Sequence, residues 1–129
     1  MNFTPADTKI HDVIVIRDPS AAVCAVGAGL DALVVEAVPD RIDLLHRPFR
    51  VWVGSHELRA RAVVIGSGDG PSPGAYRDWL AHDRQGRLVT DETRTNVDGV
   101  FARGCQAARD AISWLAETAE PATAEPVAA

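Results

Sequence analysis

Two unbroken runs of β-branched and aliphatic residues, Val13-Ile14-Val15-Ile16 and Ala32-Leu33-Val34-Val35, constrain this chain more than any other feature. A strand exposed on one face alternates apolar with polar residues, whereas a strand covered on both faces does not. Runs of this kind therefore mark parallel strands inside an α/β sheet. Parallel neighbours need a crossover, and Pro19 to Ala28 supplies a short helix. Proline suits a first helical turn, and Asp18 or Ser20 stands where an N-cap belongs. The chain thus opens on a strand-helix-strand unit.

Downstream, Phe49 to Val53 and Glu57 to Ala62 alternate around Gly54-Ser55, the pattern of an antiparallel hairpin. The second strand runs on into Val63-Val64-Ile65, another buried stretch. A Gly/Pro-rich loop over 66–74 leads to a short amphipathic piece, Tyr76 to His82, and then to a short strand, Arg87 to Thr90. Gly99 to Ala102 reads as the last buried strand, feeding a helix from about Cys105 to Thr118. Residues 1–10 form a polar lead-in, and the Pro- and Ala-rich stretch 118–129 is expected to be a disordered tail. That leaves 11–117 as a single α/β domain of three layers. In it a small parallel sheet carries one helix on one side, the C-terminal helix packs nearby, and the hairpin adds an antiparallel layer.

Composition narrows the function classes. A chain of 129 residues with 47% apolar content can bury one domain's core. Its net charge of -5 argues against nucleic-acid and anionic-membrane binding, which need a basic face. Small molecules or proteins are the expected partners. With no apolar run near ~18 residues and no leader pattern, a cytoplasmic location is expected. Cys24 and Cys105 are the only thiols and lack CxxC or metal-ligand spacing. They read first as ordinary buried residues, with a dithiol redox role as the alternative, and no metal site is expected. A Ser-His-Asp ordering, a nucleophile elbow and a Walker loop are all absent from the sequence, so hydrolase and NTPase chemistry drop away.

Three longer strings carry a resemblance: Arg47-Pro48-Phe49-Arg50-Val51, then Arg59 through Gly68, then Thr93 through Gly104. Together with the helix beginning Cys105-Gln106-Ala107-Ala108, they resemble the FAD domain of bacterial thioredoxin reductases, in family order, over most of residues 11–117. The resemblance implies a Rossmann-like, FAD/NAD(P)-binding-like fold. It also implies a role for Glu36 on the ribose, the one clear match among that family's flavin contacts.

The departures from the family are as informative. Where it turns on glycines after the first strand, this chain reads Arg17-Asp18-Pro19-Ser20. Glycines there let the backbone approach a pyrophosphate at a helix N-terminus. An Arg side chain crowds that approach, and an Asp carboxylate repels the phosphate. The closing Gly-Asp of the family stands here as Gly104-Cys105. The stretches Glu36 to Arg41 and Gly74 to Asp83 are too short to hold the family's long inserted segment and its NADPH domain with the CxxC. No bound flavin and no other cofactor are therefore expected.

An emptied groove beyond the strand ends should be lined by Arg17, Asp18, Glu36, Ser67, Asp69, Arg103 and Cys105. Arg17 and Asp18 could pair with each other or with Arg103, or polarise a bound carbonyl. Asp18, Glu36 and His46 are the candidates for catalytic work, with solvated or capping roles as the plain alternative for the histidines His46 and His82. Trp52, Trp79 and Trp114 read first as core or interface aromatics, and Arg59 and Arg61 as a solvated face. The expected function is a flavin-free, redox-inactive small-molecule enzyme, a cyclase or isomerase of bacterial secondary metabolism, acting as a homodimer. The alternatives are a dimerising or partner-binding module and a residual FAD-binding oxidoreductase subunit.

Overall fold

A computed structural model describes residues 10–36, 38–66, 76, 79–86 and 88–118. Strand β1 (Ile10–Ile16) leads through helix α1 (Pro19–Gly27) to β2 (Ala32–Val35), and β1 pairs β2 in parallel. Strands β3 (Arg41–Asp43), β4 (Phe49–Val53) and β5 (His56–Ile65) follow, then β6 (Val100–Ala102) and helix α2 (Gly104–Thr118). The six strands form one sheet in the order β2-β1-β5-β4-β3, with β6 also on β5.

Strand β5 organises this sheet. From Arg59 onward it lies parallel to β1, with Arg59 beside Ile10 and Ile65 beside Ile16. On its other side the first half pairs antiparallel with β4, and the last three residues, Val63 to Ile65, pair in parallel with β6. A two-residue turn at Gly54-Ser55, with Gly54 at φ 62, joins β4 to β5 as the sequence indicates. The result is an α/β fold on a mixed sheet, compatible with a Rossmann-like architecture.

Alternation along β1 and β5 sorts the core into two layers. Val13, Val15, Ala62 and Val64 face a layer that contains both helices, through Ala21, Ala22 and Ala25 of α1 and Ala107, Ala108, Ala111 and Leu115 of α2. Small alanines let the helices approach closely. Both helices therefore cover the same face of the sheet. Ile14, Ile16, Val63 and Ile65 point the other way, onto Ile42, Phe49 and Val51 of the antiparallel half and onto Tyr76, Leu80 and Leu88.

Several boundaries and two short strands differ from the sequence reading. The lead-in ends one residue sooner, since Ile10 already belongs to β1, and α2 runs from Gly104 to Thr118. Strand β3 arises in a stretch whose charged residues hid it, because Ile42 alone of Arg41-Ile42-Asp43 is buried. The strand expected at Arg87 to Thr90 reduces, among the described residues, to a single bridge between His82 and Leu88.

Candidate functional site

The carboxyl ends of β2, β1, β5 and β6 lie side by side, and the residues after β1, β5 and β6 are each tied to the neighbouring strand. The Arg17 amide donates to the Val35 carbonyl (2.7 Å), the Gly66 amide to Ile16 (2.7 Å), and the Arg103 amide to Ile65 (3.0 Å). These bonds set a row of strand-end residues where α/β sheets place their ligands. Two of them hold left-handed backbone despite their side chains, Arg17 at φ 55 and Arg103 at φ 80. Such a conformation costs about 1–2 kcal/mol per residue. Gly66 is required for space: a Cβ there would stand 2.0 Å from the Arg17 carbonyl oxygen and 2.9 Å from the Asp18 Cβ.

Asp18 sits at the centre of this row. One carboxylate oxygen, Oδ1, accepts the Ala21 amide of α1 at 3.2 Å, so Asp18 is that helix's N-cap. The other, Oδ2, accepts the Gly104 amide at the start of α2 at 2.6 Å, across 86 positions of sequence. Asp18 is only 8% exposed. One buried carboxylate thus satisfies free amides at the N-termini of both helices, where partial positive charge favours an anion. The two oxygens accept backbone N–H groups, and among the described residues neither Arg17 nor Arg103 forms an ion pair with Asp18.

A cleft of about 250 Å³ opens beside it, lined among the described residues by Arg17, Asp18, Pro19, Val34 and Glu36. Pro19 and Val34 supply apolar wall, and the exposed Arg17 and Glu36 supply the polar groups. Tyr76 is buried near Arg17, and burial pushes its phenol up to about 12 against the opposing pull of the Arg17 charge. This arrangement can hold a small molecule against an apolar floor between a cation and a carboxylate.

The remaining candidates are dispersed. Arg103 turns away from the cleft, donating to the Leu88 carbonyl (2.9 Å) and the Thr90 hydroxyl (3.3 Å). Ser67 and Asp69 lie outside the described residues. His46 follows β3 at the sheet edge opposite β2, exposed, with its Nδ1 3.0 Å from Asp43 Oδ2. Partial burial raises the Asp43 carboxyl, but the His46 bond and the amides of Leu45 and His46 outweigh it and hold Asp43 below the usual range. Arg59 and Arg61 pair with Glu57 and Asp12. Trp52 lies under Arg41, and Trp114 packs edge-on to Phe101, so neither lines the cleft.

Cys24 and Cys105 require a correction. They are not separate buried residues: they form a disulfide between α1 and the first turn of α2, with Cα atoms 5.7 Å apart, inside the usual range for such bonds. Cys105 is accordingly absent from the cleft lining. A second hollow of about 250 Å³, lined by Asp91, Glu92, Thr93, Arg94 and Asp110, had no counterpart in the sequence reading. Among the described residues no group of His, Cys, Asp and Glu is placed to hold a metal ion. No described helix is long and apolar enough to cross a membrane.

No family model matches the chain, and no curated protein matches it. Among solved structures, the Cu(II) complex of the HOCl-induced flavoprotein disulfide reductase RclA from Escherichia coli is similar at 12% identity, with a TM-score of 0.33. The alignment covers 85% of this chain and 37% of that one, so this chain spans little more than a third of that length. A likeness at that score carries no argument about the site.

Proposed function

We propose that this chain is a cofactor-independent small-molecule protein, with the cleft between Arg17 and Glu36 as its ligand site and cyclase or isomerase chemistry as its activity. The observation that carries the reading is Asp18. A dinucleotide's pyrophosphate is bound by free amides at a helix N-terminus, and here the Ala21 and Gly104 amides already donate to an internal carboxylate. A phosphate would have to displace that carboxylate or lie against it. The nearby cleft, at about 250 Å³, falls below the ~300–1,000 Å³ of typical ligand pockets and suits a compact molecule better than a dinucleotide.

Cyclisation and isomerisation ask for a shaped wall and one or two polarising groups rather than a nucleophile. In the proposed site Arg17 stabilises negative charge developing on a carbonyl oxygen, Glu36 accepts or returns a proton, and Val34 and Pro19 orient the apolar part. Asp18 positions α1 and α2 and takes no direct part. The strained backbone at Arg17 supports this assignment, since such conformations concentrate at functional sites.

A second reading, a module that docks a protein or a second copy of itself, is favoured by the apolar side chains around the same edge. Val23 and Val26 of α1 are 72% and 57% exposed, and Val34 of the edge strand β2 is 42% exposed. Native mass spectrometry of the freshly purified protein, followed by crystallographic soaking with small carbonyl compounds and carboxylates, separates the readings. Fragments seated between Arg17 and Glu36, in a monomer or a dimer, support the first. Dimers with an empty cleft support the second, and stoichiometric flavin overturns both.

A further inference from the structure

We propose that Cys24 and Cys105 form a thiol-exchange site, a disulfide clamp between the two helices that a small dithiol opens and a low-molecular-weight disulfide closes. Neither cysteine is fully buried, so a small thiol has access to the bond. The helices do not depend on it for their contact. Ala21, Ala22 and Ala25 of α1 meet Ala107, Ala108 and Ala111 of α2 over one shared apolar layer. That packing keeps the two sulfurs within reach of each other after the bond opens, which is the condition for closing it again rather than losing the pair.

The two sulfurs are not equivalent. Cys24 lies in the last half of α1, whereas Cys105 is the second residue of the 15-residue α2. Amides in the first turn of a helix stabilise a thiolate. The Asp18 carboxylate accepts only the Gly104 amide of that turn, so the amides of the residues after it still favour a thiolate. Cys105 is therefore the better leaving group, and the cysteine with the larger thiolate fraction for attack.

Opening proceeds by attack of the dithiol's thiolate on the Cys24 sulfur, which breaks the Cys24–Cys105 bond and releases Cys105 as thiolate. The dithiol's second thiol then displaces Cys24 and leaves as a cyclic disulfide. Two electrons pass from the dithiol to the cysteine pair, and two protons end on the cysteine sulfurs. Closing with glutathione disulfide runs through a mixed disulfide on Cys105, which the Cys24 thiolate resolves, releasing two molecules of glutathione. The clamp adds a covalent tie between α1 and α2 beside Gly104 and Asp18, on top of the packing that already holds the helices together.

The test uses the full chain under native conditions with dithiothreitol, glutathione disulfide and iodoacetamide, read by intact mass and peptide mapping. The expected results are an unalkylated oxidised protein, full alkylation at both cysteines after dithiothreitol, and return of the Cys24–Cys105 linkage with glutathione disulfide. In the single variants, Cys105 of Cys24→Ser should react with iodoacetamide about tenfold faster than Cys24 of Cys105→Ser. Two free thiols that persist in glutathione disulfide would overturn the proposal. So would a bond that resists dithiothreitol until the protein is unfolded, which would make it a permanent staple.

Discussion

Replacing Asp18 by alanine removes one side chain and leaves two helix termini short of an acceptor. The N-cap bond to Ala21 is of a kind whose loss costs about 0.5–2 kcal/mol. The 2.6 Å bond to Gly104 is made by a carboxylate, and such bonds contribute about 1.5–3 kcal/mol. The two terms are not independent, because one water entering the vacated space can serve both amides, so the expected loss for Asp18→Ala is about 3 kcal/mol rather than their full sum. Against a total stability of about 5–15 kcal/mol that is a large fraction. Urea unfolding followed by far-ultraviolet circular dichroism, with both proteins fully oxidised, measures it directly. Asp18→Asn is the informative control. Its side chain offers one acceptor oxygen where two amides need one each, so it should lose about half as much. A loss under ~1 kcal/mol for the alanine variant, or an asparagine variant no better than alanine, would refute the double-cap reasoning.

Three further outcomes follow from other parts of the molecule. Arg17→Gly should leave stability unchanged or raise it by about 1 kcal/mol in the same urea experiment, because glycine accepts the left-handed backbone that arginine holds at φ 55; a clear loss would mean the side chain is needed for folding. The double variant Cys24→Ser/Cys105→Ser should be less stable than the oxidised protein by about 2–4 kcal/mol, since the bond closes a loop of 81 residues for which chain entropy sets a ceiling near ~4.5 kcal/mol; equal midpoints would show that the reduced chain gains nothing in freedom. Tyr76 is the sole tyrosine, so its ionisation can be followed by tyrosinate absorbance without interference. Its folded value near 12 exceeds the ordinary 10.0, so the contribution is fully present below pH 10 and is lost as pH rises from about 10 to 12. Tyr76→Phe should abolish that slope, and a titration midpoint near 10 in the native protein would contradict the burial argument.

Much of the fold was legible in the sequence because its signals are local. The aliphatic runs 13–16 and 32–35 became β1 and β2, the Gly54-Ser55 turn joined β4 to β5, and Asp18 capped α1. Strand β3 was not legible, because a three-residue strand with one buried side chain has no period to detect. The cleft was legible in part: the rule that ligands sit beyond strand ends brought Arg17, Asp18 and Glu36 into one lining. Arg103 failed the same rule, because the rule fixes the backbone position and not the direction of a long side chain, which here reaches the carbonyl of Leu88. The second partner of Asp18 and the disulfide partner of Cys24 were beyond any local pattern, lying 86 and 81 positions away. Both are consequences of the two helices sharing one face of the sheet, which no periodicity encodes.

The central claim is that an internal carboxylate occupies the anion position between two helix N-termini. The most direct test is thermal unfolding of the wild-type protein and of Asp18→Gly, each titrated with ADP. Emptying the position should restore a phosphate's access to the Ala21 and Gly104 amides, so the variant's melting temperature should climb with ADP concentration while the wild type's stays level. A wild-type protein stabilised by ADP as steeply as the variant would show that the position was never filled.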